Sequence, residues 1–306
     1  MAFLFSAFLV SLAGLVAKAA AQSDPFADPK NDPLNPLKYI PSTGLTAAAL
    51  MLVVALLQTW CIRRWGAKWM SVMPIAAYCF ALGMSFRFAF AKRPHSRPIY
   101  VLQSLFIILS PCGFIAADYI LLGRIALHLN ATKYLLIPAR RITMVFVLSD
   151  VTTFLVQAAG GGVAAAADTP STADLGSKIF LVGLAAQLCS FLVYTATFLL
   201  FLYRVSKYEN KTWKMDENKD WANRWTTLAA ALGVSCVGVL VRSVFRTVEM
   251  SEGFGGPLTT TEFWFYALDL LPLFIAIAVY VPFWPGRFIT GEQPSFDAIP
   301  LSDREA

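Results

Sequence analysis

The chain has 306 residues, of which 57% are hydrophobic and only 14% charged, and its net charge is +6. Soluble domains carry about 25% charged residues, so this composition argues against a soluble enzyme, a disordered chain and a disulfide-stapled mini-protein. Because the basic residues lie between apolar runs, as in membrane proteins, the positive charge does not indicate a nucleic-acid partner.

The N-terminal 43 residues are predicted to precede the membrane domain. Residues 1–21 are largely apolar and end in three alanines, which is typical of a secretory signal peptide cleaved after Ala21. Because no Lys or Arg precedes the apolar stretch, an uncleaved signal anchor stays open as the alternative. Residues 22–43 are predicted to form an extracellular arm, since the four prolines between residues 22 and 38 are incompatible with a helix.

Seven apolar runs follow, and each is long enough to cross a hydrocarbon core of about 30 Å as a helix. The runs are 44–62, 69–91, 99–123, 142–164, 179–203, 225–248 and 263–284. Strands of a membrane β-barrel would alternate over segments of about ten residues, and these runs do not. We therefore predict an all-α integral membrane protein with seven transmembrane helices in residues 44–289 and a short cytosolic tail, 290–306.

The distribution of Lys and Arg predicts the orientation of these helices. Fifteen of them flank the runs on one side or lie in the tail, against six on the other side. The positive-inside rule then places the N-terminus outside and the C-terminus in the cytosol. The loop after the second run, with Lys92, Arg93 and Arg97, is the exception. All eight tryptophans lie at the ends of runs or in loops, as expected for aromatic belts at the two headgroup layers.

Several known seven-helix and enzyme classes are excluded by missing residues. The last run has no lysine for retinal, and two histidines in the whole chain cannot form a three-histidine metal site. The sequence also lacks a G-x-x-x-x-G-K phosphate loop, a G-x-S-x-G elbow and the usual receptor motifs. We interpret Gly160-Gly161-Gly162 as a site of close helix packing or a flexible helix exit. We therefore expect no enzyme activity, no metal and no cofactor.

Polar side chains inside the runs form two layers, and each charge there costs about 2.5–3.5 kcal/mol to insert. Toward the predicted cytosolic side lie Asp118 and Asp150. Gln157 follows Asp150 by two turns and Gln103 precedes Asp118 by about four, each on a similar face. Two interpretations stay open: structural pairing with Arg124, Arg140 or Arg141, or a polar path for an amphiphile headgroup or a proton.

The second layer, the outer charge cluster, lies toward the predicted extracellular side. Its members are Arg87, Arg242, Arg246, Glu249 and Asp269. Arg242, Arg246 and Glu249 share one helical face, so Glu249 is expected to pair with Arg246 and Asp269 with Arg242. Snorkelling of the arginines to the outer headgroups is the alternative.

A series of different short motifs lies between residues 39 and 289. They are Tyr39-x-Pro41-Ser42, Tyr119, Gly123-Arg124, Asp150-Val151, Gln157-Ala158-Ala159-Gly160-Gly161-Gly162, Arg242-Ser243-x-Phe245-Arg246-x-x-Glu249, Glu262-x-x-x-Tyr266-x-x-Asp269-x-x-Pro272 and Pro285-Gly286-Arg287. With them the chain resembles a fungal family of seven-helix membrane proteins, the RTA-like lipid-translocating exporters. The motifs in the fourth and sixth apolar runs are specific to this family when they occur together, and neither is specific alone.

The resemblance implies a plasma-membrane protein that transports, exports or flips amphiphilic lipids, such as sphingoid long-chain bases, or lipid-like toxins. It also implies a role in resistance to amphiphilic toxins. The alternative is a non-transporting seven-helix sensor of lipid asymmetry or stress. In either case the partner is a membrane lipid or amphiphile, and the oligomeric state and the energy source stay open.

Overall fold

A computed structural model describes most of the chain from Pro41 to Ile289. The described residues are 41–289 apart from 93–96, 166, 168, 210–212, 214–220, 222–223, 253–257 and 259–261. The predicted signal peptide 1–21, the arm up to residue 40 and the tail 290–306 lie outside them. Across the described residues the chain forms helices and turns and no strand, which confirms the all-α class.

Among the described residues, six helices are long and apolar enough to cross a membrane. They are α1 (Pro41–Trp65), α2 (Val72–Lys92), α3 (Arg97–His128), α4 (Ala139–Ala165), α5 (Pro170–Tyr208) and α6 (Trp225–Glu252). A helix satisfies every backbone polar group within its own segment, which a chain buried in lipid requires.

The seventh apolar run is shorter as a helix than the sequence predicts. It forms α7 in three pieces, Glu262–Trp264, a π-helical turn Phe265–Leu270 and Leu271–Ala278. Proline at position 272 lacks an N–H, and the neighbouring Leu271 N–H donates to the carbonyl of Tyr266, five residues back. Residues 279–283 continue as turns to a short helix α8, Pro285–Phe288. A seventh membrane crossing therefore stays a prediction.

Helix α5 begins nine residues earlier than the predicted run. The hydroxyl oxygen of Thr169 accepts the N–H of Thr172 at 3.3 Å, and Pro170 occupies the first turn. Both features start helices, but a boundary drawn on apolar content overlooks them. Asp174 and Lys178 form an exposed ion pair of 2.7 Å on this extension.

Consecutive helices run antiparallel, and α7 returns beside α1. We call the end at which α1, α3 and α5 finish the basic end, because most Lys and Arg residues flank it. The sequence predicts that this end is cytosolic. α6 contacts α3, α5 and α7, and buried residues from all seven helices form one hydrophobic core.

Glycine brings α4 and α5 into close contact far from the basic end. A Cβ atom at Gly160 would overlap the backbone nitrogen of Phe180, and one at Gly176 would overlap that of Ala164. Residues 160–165 are helical. The close-packing interpretation is therefore confirmed at Gly160, and the triplet lies within α4 rather than at its exit.

Two tryptophans assigned to the headgroup belts are buried inside the protein. Trp225 is 3% exposed and Trp284 is fully buried. The indole Nε1 of Trp284 donates to the carbonyl of Gly66 at 3.2 Å. This bond connects the chain after α7 to the end of α1. Trp284 therefore packs inside the protein and does not face lipid.

Candidate functional site

Asp118 on α3 lies at the centre of a hydroxyl cluster and is fully buried. Its Oδ2 accepts the hydroxyl of Ser235 at 2.7 Å, and its Oδ1 accepts the hydroxyl of Tyr280 at 2.8 Å. Tyr194 donates to the backbone carbonyl of Asp118 at 2.8 Å. One residue of α3 therefore holds α5, α6 and the turn after α7 together.

Asp150 on α4 is 3% exposed and contacts Tyr119, the residue that follows Asp118 on α3. Its Oδ2 accepts the hydroxyl of Tyr119 at 2.8 Å, whereas its Oδ1 is buried without a hydrogen-bond partner among the described residues. A buried carboxylate oxygen without a donor is unfavourable, so Oδ1 of Asp150 is available to a donor from a ligand or from water.

The structural pairing of these two carboxylates with the basic residues nearby is not found among the described side chains. Neither Asp118 nor Asp150 forms an ion pair with Arg124 or Arg141 there. Arg124 instead lies over the ring of Trp69, 5.4 Å from its centroid. Both acids are therefore surrounded by hydroxyl groups and apolar side chains.

Gln157 continues the polar face of α4 two turns beyond Asp150. Its Nε2 donates to the Oε1 of Gln187 on α5 at 2.8 Å, and its own Oε1 is buried without a hydrogen-bond partner in the described part of the chain. Gly183 makes room for it, since a Cβ there would lie 2.7 Å from the Cγ of Gln157. Asp150 and Gln157 thus present two unsatisfied acceptors along one helix face.

Gln103 does not belong to the same site as Asp118, contrary to the prediction from their spacing. Fifteen residues of helix separate them by about 22 Å along the axis of α3. One turn from Gln103, the carbonyl of Ile107 accepts Nη2 of Arg242 at 3.2 Å. Gln103 is buried at the level of the outer charge cluster, because a shared helix face does not imply a shared depth.

The outer charge cluster centres on Asp269, which is fully buried in the π-helical turn of α7. Arg246 on α6 donates to both of its carboxylate oxygens, at 2.6 and 3.0 Å. Nη1 of Arg242 lies 2.6 Å from Oδ2 of Asp269, as the sequence predicts. Arg246 also pairs with Glu249 at 3.0 Å, so it bridges both acids instead of serving Glu249 alone.

Arg87 on α2 joins this cluster through aromatic rings. Its guanidinium carbon lies 4.2 Å from the ring centroid of Phe265 and 5.9 Å from that of Tyr266. Arg246 contacts the ring of Phe265 as well, at 5.2 Å. Arg87 and Arg242 are 6% and 5% exposed, so both are buried within the protein rather than snorkelling.

An apolar cleft of about 520 Å³ separates α1 from α7 at the end far from the basic end. Its lining comes from Ala47, Leu50 and Met51 on α1 and from six residues of α7 between Phe263 and Phe274. At the basic end the same two helices meet. Nε2 of Gln58 donates to the carbonyl of Ile277 at 2.9 Å, and Trp284 reaches Gly66. Within the described part of the chain the cleft is therefore open sideways at one end, where Leu50 and Leu271 are about half exposed, and closed at the other.

The comparisons with known proteins agree with this architecture. A family model described as RTA1 like protein matches residues 73–292, which include α2 to α7. The chain belongs to this RTA1-like family. The match contains both layers of buried charge. No solved structure shows significant similarity to the RTA1-like chain.

Curated relatives of this RTA1-like chain come from Saccharomyces cerevisiae. Protein RTA1 is 30% identical over 215 residues, which cover 70% of this chain and 65% of the relative. Protoporphyrin uptake protein 1 is 29% identical, covering 65% and 63%, and the sphingoid long-chain base transporter RSB1 is 25% identical, covering 67% and 60%. The chain thus spans about three fifths of the length of these relatives. With its six long apolar helices, the RTA1-like chain is a multi-pass membrane protein.

Several side chains of the site escape sequence reasoning. Tyr119, which donates to Asp150, stands among the motifs but not among the predicted site residues. Ser235, Tyr280 and Tyr194 engage Asp118 and belong to no motif. Their only signal is a hydroxyl inside an apolar run, which occurs at many positions of this sequence. Gln58 and Gln187 carry the stronger signal of an amide within a run, and a census of all amides would have found them.

Proposed function

We propose that this RTA1-like protein moves amphiphilic lipids, such as sphingoid long-chain bases, or lipid-like toxins across the plasma membrane. The observation that carries the proposal is the sideways cleft between α1 and α7. Its lining residues are all hydrophobic, and a site of about 520 Å³ has the size of known small-molecule pockets. A hydrocarbon tail can enter such a cleft directly from the bilayer, without passing through water.

The names of two relatives support an amphiphilic substrate. One is named as a sphingoid long-chain base transporter and another as a protoporphyrin uptake protein. The chain covers only part of each relative, so the substrate class is a proposal here. The end that holds the cleft is the predicted extracellular end, which makes the cleft an exit toward the outer leaflet.

The headgroup of the amphiphile is proposed to follow the polar face of α4. A protonated amine carries a charge that is costly to bury, and Oδ1 of Asp150 is a buried acceptor without a donor. Gln157 offers a second free acceptor two turns further from the basic end. Asp118 is not proposed as an amine ligand, because hydroxyl groups occupy both of its carboxylate oxygens.

Flux through purified, reconstituted protein tests this function. Liposomes containing the full chain should move a fluorescent sphingoid base between leaflets faster than empty liposomes. Asp150→Asn should reconstitute equally well and lose most of this flux, since it keeps the shape of the side chain but not the charge. The matched control is Asp174→Asn, at an exposed ion pair outside the path, which should transport normally.

Two results would overturn the proposal. Full flux in a well-folded Asp150→Asn protein would remove the amine path and leave Asp150 as a packing residue. Saturable binding of the fluorescent base to wild-type protein without any flux would contradict transport and favour the non-transporting sensor.

A further inference from the structure

Asp118 is a buried acid that the proposed amine path does not use. It is fully buried near the middle of α3, ten residues from the end of that helix, or about 15 Å along its axis. Both oxygens of its carboxyl group contact hydroxyl groups. Because a charge at this depth costs more to insert than an amide, a purely structural bridge to two hydroxyls would be better made by Asn. Carboxyl groups inside membrane helices recur as proton sites.

The surroundings of Asp118 contain no charge that would fix it in the ionised form. The titratable groups that face it are Tyr119 on α3, Tyr194 on α5, Cys236 on α6 and Tyr280 after α7. On α4, Asp150 lies behind the hydroxyl of Tyr119. Arg242 lies two turns beyond Ser235 on α6 and pairs with Asp269 instead of Asp118. Asp118 thus has neutral neighbours, and the described residues place no cation against it.

The partner of Asp118 that lies outside a helix is Tyr280. Helix α7 ends at Ala278, and Tyr280 lies on the following turns, where Val281 N–H donates to the carbonyl of Ala278 three residues back. The same stretch continues to Trp284, which bonds to Gly66, and to Gly286, which packs against the backbone of Trp65. We call residues 279–286 the closing segment, because they seal the basic end below the cleft.

We propose that Asp118 is a proton-binding site, and that its protonation releases Tyr280 and loosens the closing segment at the basic end. A hydrogen bond to an ionised carboxylate is about twice as strong as one between neutral groups, so a proton on Asp118 weakens the bond from Tyr280. The proton comes from bulk water and binds a carboxyl oxygen, and no other bond changes. An open cleft at one end and a proton-released closure at the other are the two gates of alternating access.

The link to transport rests on the proposed function, but proton binding does not, so the two can be tested separately. Infrared difference spectra of the full chain in lipid nanodiscs report the C=O stretch of a protonated carboxyl group. As the pH is lowered, this band should grow in the wild-type protein, because protonation converts the carboxylate to a carboxylic acid. Asp118→Asn should remove one component of the band, and Asp150→Asn should leave that component in place.

A second pair of variants keeps the test decisive if Asp118→Asn does not fold. Tyr280→Phe removes one donor to the carboxylate, so the component from Asp118 should appear at a higher pH. Tyr78→Phe is the matched control, because its hydroxyl bonds to Thr59, away from Asp118. An unchanged midpoint in Tyr280→Phe, or a band that Asp118→Asn leaves intact, would overturn the proton site.

Hydrogen–deuterium exchange tests the release of the closing segment. After correction for intrinsic rates, exchange in residues 279–286 should rise several-fold as Asp118 becomes protonated. Equal protection on both sides of the titration would contradict release. If Asp118 titrates in a protein that moves no lipid, the result supports the proton site and contradicts the proposed transport. If the protein moves lipid but Asp118 does not titrate, the result supports transport and contradicts the proton site.

Discussion

Asp269 accepts two hydrogen bonds from Arg246 and forms an ion pair with Arg242 while it is itself fully buried. Removing one partner of a buried ion pair leaves the other charge uncompensated in a medium that solvates it poorly. Asp269 balances Arg242, which is 5% exposed, and Arg246, whose side chain is about a quarter exposed. At the scale of single residues, this carboxylate should therefore contribute more to stability than any one of its partners.

We predict that Asp269→Asn lowers the stability of the folded protein by about 3–5 kcal/mol, because it leaves the buried Arg242 without its acid partner and takes from Arg246 one of its two acids. Thermal unfolding in detergent, followed by tryptophan fluorescence, measures the effect. Arg246→Gln should have a smaller effect, because Arg246 is partly exposed and Arg242 still pairs with Asp269. The control is Asp174→Asn, whose exposed pair with Lys178 should leave the melting temperature unchanged.

A charge swap at this site tests the number of partners. If Arg242 and Asp269 formed an isolated pair, Arg242→Asp combined with Asp269→Arg would restore stability. In the structure the swap places a new arginine against Arg246, so we expect little recovery. Recovery to near the wild-type melting temperature would contradict the three-membered arrangement.

The sequence predicts the members of this cluster but not all of their pairings. The i, i+4, i+7 spacing correctly places Arg242, Arg246 and Glu249 on one face of α6. It does not show that the π-helical turn brings Asp269 within reach of both arginines. The partners of Asp118 cannot be predicted for the same reason. A single sequence shows which residues share a helix face, but it does not show which helices contact each other.

At the scale of helices, the contact between α4 and α5 depends on glycine at particular positions. The three consecutive glycines of α4 do not face α5 equally. A Cβ at Gly160 would overlap the backbone of α5, but at Gly161 the nearest atoms are those of the Phe180 ring, at 3.5 Å or more. Adjacent residues of one helix therefore provide a test site and its control.

Gly160→Ala should destabilise the protein by about 1–3 kcal/mol, because the added methyl group forces α4 and α5 apart. Gly161→Ala should be neutral or slightly stabilising, since 3.5 Å is an ordinary contact and alanine favours the helix. Melting temperatures of the two variants provide the comparison. Equal melting temperatures would show that the contact between α4 and α5 tolerates an extra methyl group.

Helix boundaries were predicted well where apolar content sets them and poorly where capping or proline does. Runs one to four and run six match helices within a few residues. The fifth helix starts early because Thr169 and Pro170 form a cap outside the apolar run. The seventh is divided because Pro272 lies within it, and apolar content alone does not reveal the break that a proline causes.

For the whole molecule, the cleft between α1 and α7 is the feature that distinguishes transport from a sealed bundle. Ala267 lines it from the π-helical turn. Ala267→Trp should fill part of the cleft and reduce the flux of a fluorescent sphingoid base at least tenfold, with normal yield. Val182→Trp places the same side chain on the exposed face of α5 and should transport normally. Equal flux in both variants would remove the cleft from the path.

The orientation of the whole molecule follows from charge counting alone and has its own test. Asn130 begins an Asn-Ala-Thr sequon at the basic end. If that end is cytosolic, Asn130 never meets the glycosylation machinery. We predict no glycan on Asn130 in protein expressed in a eukaryotic cell, as judged by peptide mass. A glycan there would invert the predicted orientation, and the cleft would then face the cytosolic leaflet.

The length of α5 has a consequence for where the protein resides. Its 39 residues extend about 58 Å, and it is the least buried of the six long helices. Its apolar run of 25 residues alone spans about 37 Å, whereas the endoplasmic reticulum offers about 27 Å of hydrocarbon and the plasma membrane about 32–33 Å. Hydrophobic mismatch along this exposed helix is thus smallest in the thickest bilayer. This smaller mismatch supports the proposed location in the plasma membrane.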